Sequence, residues 1–200
     1  ERAGQNIALH AGELTLGLVP PEHLGWHIRE AVEVAGAKRI GHGIDISYDP
    51  NMYQTLQRMA TDDVAVEINL TSNDVILGVS GEDHPISIYL ENAVPITIST
   101  DDEGVSRINL THEYQRAVET FDLSYESIKT ISRNAVQYSF LPGKTLFQNT
   151  IDGSLNIECR KGLPQDLKDR STCSSFILQS EKALAQWQLE KNFNSFEARF

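Results

Sequence analysis

The sequence predicts an α/β protein: the second half of a (β/α)₈ barrel, with parallel strands alternating with helices, followed by a C-terminal helical extension. Three observations support this. Apolar runs alternate with helical patterns, the connections are short, and polar residues follow each apolar run. Polar residues at strand ends are typical of a barrel whose active site lies on its C-terminal face. Four strand–helix units are present, about half of a closed barrel.

Four short runs, three of them mostly apolar, are predicted to be the parallel strands. Because apolar residues are nearly continuous in them, we expect helices to cover both faces of the sheet. The polar residues that follow would then meet at one edge. The runs are 7–9 before His10 and Glu13, 38–41 before His42, 64–70 before Ser72 and Asn73, and 94–99 before Asp101 and Asp102.

Helical patterns separate these runs and have recognisable ends. Pro21 suits a first helical turn, Gly36 a stop, and Ser124 an N-cap. Gly4 looks like the stop of an earlier helix, which suggests that the chain is part of something longer. Helices are predicted over 21–36, from Asp49-Pro50 through Met59, and over 85–92, 110–121 and 124–140.

The pattern changes after Gly143, so we predict a barrel domain over 1–143 and an extension over 144–200. Its first part is rich in turns, and residues 174–198 are predicted to form one long amphipathic helix. We expect this helix to pack as an appendage, with partner binding as the alternative. Cys159 and Cys173 are expected to be free thiols, although an oxidising compartment would allow a disulfide.

Composition excludes several classes of function. The net charge of −11 argues against nucleic acid or an anionic membrane surface as the main partner. No apolar run approaches the roughly 18 residues of a transmembrane helix. The compartment stays open, with the cytoplasm as the default.

The strand ends bring together two imidazoles and three carboxylates. Alone, a pair such as Asp101-Asp102 is more typical of a solvated turn. Together, these groups predict a hydrolytic site with a divalent metal, because imidazole and carboxylate suit zinc and a nearby carboxylic acid can shuttle a proton.

Four ordered motifs over residues 1–145 resemble the second half of the adenosine deaminase family, a branch of the metal-dependent amidohydrolase barrels. Shorter segments at His84-Pro85, 110–114 and 140–143 add to the likeness. The four motifs are His10-Ala11-Gly12-Glu13, Arg39-Ile40-Gly41-His42-Gly43, Leu70-Thr71-Ser72-Asn73 and Ser99-Thr100-Asp101-Asp102.

The resemblance implies a zinc enzyme that converts adenosine or 2′-deoxyadenosine to inosine and ammonia. His10 and Asp101 would be zinc ligands. Glu13 would give a proton to N1 of the purine, and His42 would orient the attacking water and help deprotonate it.

The resemblance also implies contacts to the purine nucleoside substrate. Asp102 would hydrogen-bond N7, and Gly12 and Ser72 are expected to contact the substrate as well. Another 6-aminopurine is the alternative substrate, and a non-catalytic adenosine-binding relative is the alternative function.

The sequence departs from the family pattern at one point. The His-x-His pair that supplies two further zinc ligands does not occur in it. We therefore expect the N-terminal half of the barrel to come from another chain or an upstream segment. His23 and His27 are expected to be surface residues, and His84 to cap or pack a helix.

Overall fold

The computed structural model describes residues 6–169 and 171–200. The chain divides into two compact units, one up to Ile131 and one from Ser132 onward. The domain boundary at 143/144 stays a prediction. The predicted helix stop at Gly4 lies outside the described residues.

The first unit contains a four-stranded parallel sheet, which confirms the predicted fold class. The strands are adjacent in chain order. Ala11 pairs with His42, and Ile68 pairs with Ile98, so the carboxyl ends of the strands lie along one edge. The strands are β1 (Ala8–Ala11), β2 (Arg39–His42), β3 (Ala65–Ile68) and β4 (Ile96–Ile98).

Helices follow the strands, as predicted, but the limits of the first helix differ. The predicted helix over 21–36 is wrong in its first half, where Pro21–His23 forms a separate 3₁₀ turn. Gly25 breaks the segment with a φ of +78°, and a Cβ there would collide with the Tyr48 carbonyl. The helices are α1 (His27–Glu33), α2 (Met52–Thr61), α3 (Leu70–Leu77), α4 (Ile86–Glu91), α5 (Glu103–Ser106), α6 (Leu110–Phe121) and α7 (Tyr125–Gln137).

The core of the first unit lies between the sheet and its helices. Its side chains are almost completely buried and include Ile40, Val66, Ile68 and Ile96 from the strands and Ile28, Leu56, Met59, Ile86 and Tyr89 from the helices. The first strand differs from prediction. We expected it to be buried, yet in β1 only Ala11 is, and Leu9 is 36% exposed. The reason is that β1 is an edge strand, with β2 as its neighbour in the described sheet.

The second unit has a small antiparallel sheet, β5 (Phe147–Asn149) and β6 (Ser154–Leu155), within the segment predicted to be turn-rich. The single helix predicted over 174–198 is wrong. Two helices, α8 (Thr172–Leu178) and α9 (Glu181–Glu197), part at Ser180. The Ser180 backbone is extended and its hydroxyl accepts the Ala183 N–H at 3.1 Å, so this residue caps α9.

The two cysteines form a disulfide, so the expectation of free thiols was wrong. Both half-cystines are buried among Leu146, Phe147 and Trp187 in the core of the second unit. Burial at one site brings together two thiols that are 14 residues apart in sequence.

No helix in the described ranges combines the length and apolarity that crossing a bilayer requires.

Removing the disulfide should destabilise the second unit. A closed loop of about 15 residues contributes about 3 kcal/mol to the free energy of unfolding. We therefore expect the double variant Cys159→Ser, Cys173→Ser to lose about that much in urea unfolding. Trp187 fluorescence in a Trp26→Phe background reports on this unit, since the chain has two tryptophans. Reductant should lower the stability of the parent to that of the double variant, and equal stability without reductant would contradict the prediction.

Candidate active site

The four residues predicted to carry metal binding and catalysis meet at the carboxyl edge of the sheet. Nε2 of His42 lies 3.5 Å from Oε2 of Glu13 and 3.8 Å from Oδ2 of Asp101. The His10 and His42 rings are 5.1 Å apart between centroids. His42 is fully buried, whereas Glu13 and Asp101 keep partial access to solvent. Groups from the ends of two other strands, β1 and β4, thus lie around one imidazole.

Local backbone geometry holds His42 in this position. The residue has a φ of 72°, the left-handed region that side chains rarely adopt, and Gly43 follows at 64°. The Gly43 N–H donates to the Ala11 carbonyl at 3.0 Å, which ties the turn to β1. The Tyr89 hydroxyl donates to the Gly43 carbonyl at 2.5 Å. Burial raises the pKa of Tyr89 well above its usual value, so the hydroxyl keeps its proton.

A second group of polar side chains lies on the Nδ1 side of the His42 ring. The Asn73 amide bridges two imidazoles, 2.8 Å from His42 Nδ1 and 2.9 Å from His84 Nε2. Asn69 Nδ2 lies 3.4 Å from His42 Nδ1. The Ile86 N–H donates to His84 Nδ1 at 3.2 Å, which confirms the predicted helix-capping role of His84. Burial, followed by the charges of Arg116 and His42, lowers the pKa of His84 to about 4, so this ring is neutral at pH 7.

Asn73 and Ser72 lie on α3, a helix that the sequence analysis did not predict. Polar residues 71–73 were interpreted as a strand end. The fully buried carboxylate of Glu113, on α6, accepts hydrogen bonds from the Thr71 N–H at 3.2 Å and from the Thr71 hydroxyl. Arg116 contacts Thr71 as well. A cap supplied by a residue 42 positions away leaves no signal in the local sequence.

The residues predicted to contact substrate have different surroundings. The Ser72 hydroxyl donates to Asp101 Oδ2 at 2.8 Å, so it orients a site carboxylate. Gly12 is required by the backbone, since its φ is +74° and a Cβ would come within 2.9 Å of the Ile28 side chain. Asp102 is exposed and stands at the start of α5 without capping it through its side chain.

The site has suitable donors for a metal ion. His10, Glu13 and His42 each offer one ligand atom, and these atoms lie within 4.8 Å of one another. The buried His42 Nε2 has no hydrogen-bond partner. Two imidazole nitrogens and a carboxylate oxygen are the donor types that catalytic zinc uses, so these residues fit that ion. Of the predicted ligands, His10 belongs to this group and Asp101 lies beside it at His42.

Two further residues differ from the expectation or were missed. His27 was expected on the surface, yet it is half-buried, stacks on Trp26 and lies 3.6 Å from the buried Asp45 carboxylate. Burial raises the pKa of Asp45. Glu113 was not predicted to matter, because its partner Thr71 is distant in sequence.

Comparison with known proteins agrees with the resemblance of the sequence motifs. The family model described as adenosine deaminase matches residues 1–151. The adenosine deaminase of Clostridium perfringens is 36% identical over 140 residues, which are 70% of this chain and 39% of the relative. The chain therefore spans about two fifths of the length of such relatives.

Two solved structures are similar to about the same share of the chain. Adenine deaminase from Arthrobacter aurescens is 25% identical, with a TM-score of 0.57, and the match covers 70% of this chain and 40% of that one. An N6-mAMP deaminase from Arabidopsis is 28% identical, with a TM-score of 0.55, and the match covers 68% and 37%.

The low pKa of His84 should make stability depend on pH. The unfolded chain binds a proton at His84 near pH 6.5, whereas the folded chain does so only near pH 4. The contribution of neutral His84 to the free energy of unfolding is therefore complete above about pH 6.5. This contribution, about 3 kcal/mol, is lost as the pH falls toward 4. We measure the free energy of unfolding in urea near pH 7 and near pH 4. Between these two pH values it should fall by about 3 kcal/mol less in His84→Gln than in the parent. His112→Gln, at an exposed position of α6, is the control and should behave like the parent.

Proposed function

The chain belongs to the adenosine deaminase family, and from that premise we propose that, joined to the first half of its barrel, it hydrolyses adenosine or 2′-deoxyadenosine to the inosine nucleoside and ammonia. One observation carries the proposal. The carboxylates of Glu13 and Asp101 both approach the buried Nε2 of His42, at 3.5 and 3.8 Å. Hydrolytic loss of an amine needs a proton donor and a positioned water. These three groups are chemically able to donate the proton and to hold the water by hydrogen bonds.

The need for a first half is part of the proposal. The described sheet has two open edges, β1 and β4, and three residues of β1 are exposed. Open edges and exposed apolar residues such as Leu9 are unfavourable in a free protein. Further strands beside β1 and β4 would cover both and would add metal ligands.

In the proposed reaction, protonated Glu13 gives its proton to N1 of the purine, which makes C6 more electrophilic. A water oriented by His42 adds to C6, and one of its protons passes to the amino group. The C6–N bond then breaks to release ammonia, and the remaining hydroxyl proton returns to Glu13 as the C6 carbonyl forms. Asp102 is proposed to hold N7.

Zinc is the proposed cofactor, with His10 and Asp101 as ligands from this chain. When bound, it would supply Lewis acidity, which lowers the pKa of a water from 15.7 to about 7. The cluster of His10, Glu13 and His42 supports this choice of metal.

The substrate could also be a different 6-aminopurine. The similar solved structures are named as deaminases of adenine and of N6-methyl-AMP, which favours this second candidate. The test is ammonia release and absorbance loss with adenosine, 2′-deoxyadenosine, adenine and N6-methyl-AMP, using the chain assembled with the first half. No release from any of them would refute the proposed activity.

Replacing Glu13 should remove the proton donor. We expect Glu13→Gln to lower kcat by about 100- to 10,000-fold, the usual contribution of general acid catalysis. The amide keeps the shape of the side chain but cannot supply the proton. Glu22→Gln, at an exposed position of the 3₁₀ turn, is the matched control. Equal rates in the two variants would exclude Glu13 as the proton donor.

Zinc should be required for activity, and the binding of zinc should depend on His10. We expect about one zinc ion per assembled barrel, loss of deamination on chelation, and recovery when zinc is returned. His10→Gln should lower the zinc content measured by atomic spectroscopy, while His23→Gln, at an exposed position, should not. Full zinc content in His10→Gln would rule it out as a ligand.

A further inference from the structure

The contacts of His84 fix the position of the single proton on its ring. The backbone N–H of Ile86 lies 3.2 Å from His84 Nδ1 and can only donate. His84 Nδ1 is therefore an acceptor and carries no hydrogen. Since burial keeps this ring neutral at pH 7, its single proton is on Nε2.

The proton on His84 Nε2 fixes the orientation of Asn73. With Nδ2 toward His84 and Oδ1 toward His42, the Asn73 amide would donate to a His84 ring that already accepts from the Ile86 N–H. A neutral imidazole has one acceptor nitrogen, so it cannot accept from both donors. A half-turn of the amide exchanges its two ends within the same outline. Its oxygen then accepts from His84 Nε2–H, and its NH₂ group donates to His42 Nδ1.

The surroundings of His42 agree with this assignment. On the other side of the ring, Nε2 faces the carboxylate oxygens of Glu13 and Asp101. A bare Nε2 lone pair would face these acceptors, whereas an N–H can donate to them. The carboxylates near Nε2 therefore favour a proton on this nitrogen as well.

We propose that His84 is a positioning residue that acts through Asn73 to keep the proton of neutral His42 on Nε2. The catalytic meaning rests on the proposed function. In that reaction, His42 donates a hydrogen bond from Nε2, so it can neither take a proton there nor bind zinc through that atom, and the zinc ligands from this chain remain His10 and Asp101. The proton of the attacking water is then taken by a carboxylate, either Asp101 or Glu13 once Glu13 has given its own proton to N1, and His42 keeps its orienting role.

The experiment is nitrogen NMR of the 200-residue chain, labelled with ¹⁵N-histidine and treated with a chelator. Two-bond ¹H–¹⁵N correlations distinguish the protonated from the bare nitrogen of each neutral ring, and the spectrum of His42→Asn assigns the His42 signals. We expect a bare Nδ1 and a protonated Nε2 at His42. His42 with its proton on Nδ1 would overturn the proposal.

Three variants test the chain of hydrogen bonds. Asn73→Asp has only acceptors and should move the His42 proton to Nδ1. His84→Phe removes the donor at similar size and should give a mixture of tautomers. His84→Gln keeps an N–H toward Asn73 and should restore the parent pattern. A folded His84→Phe with the parent pattern would exclude the role of His84. If His84→Phe does not fold, the parent and Asn73→Asp spectra decide the question.

Activity provides a second readout once the first half is supplied. We expect His84→Phe to lower kcat by about 10- to 100-fold with little change in KM, and His84→Gln to retain activity. The NMR result depends on neither substrate nor metal. Absence of deamination with the proton on Nε2 would therefore refute only the proposed function, and active enzyme with the proton on Nδ1 would refute only this inference.

Discussion

The left-handed turn at His42–Gly43 is the constraint on which the site depends. It ends β2 by turning the chain sharply at its last residue, and it places a buried imidazole among groups that follow β1, β3 and β4. Tyr89 and the Ala11 carbonyl hold the turn through hydrogen bonds to Gly43. A residue with such a φ costs free energy, and a stiff surrounding core offsets that cost. The parallel sheet is therefore what makes the site possible.

The polar residues behind His42 belong to a network that spans much of the first unit. Glu113 on α6 caps α3, and α3 carries Ser72 toward Asp101 and Asn73 toward His42. His84, which caps α4, completes it. Each buried polar group would cost about 1–3 kcal/mol if left without a partner, so the network orients side chains and keeps the fold stable at the same time. Packing and site geometry are here one property.

The open sheet explains why the site has an exposed side. Leu9 and His10 lie on an edge strand, and Glu13 and Asp101 remain partly accessible. In the proposed enzyme, further strands would cover this side and bury the substrate. The second unit has its own core around the disulfide and its own ion pair between Arg133 and Glu190.

The sequence by itself determined the parallel α/β class, the helix over 110–121, and the residues that meet at the strand ends, because apolar periodicity and polar strand ends are local signals. It could not determine α3, the break at Ser180 or the disulfide. Helix α3 depends on Glu113, which is 42 residues from Thr71, and the disulfide depends on the burial of two distant thiols in one core. Nor could it assign a partner to His84. Contacts between residues far apart in the chain are decided only when the chain has packed, since only then does each buried donor meet its acceptor.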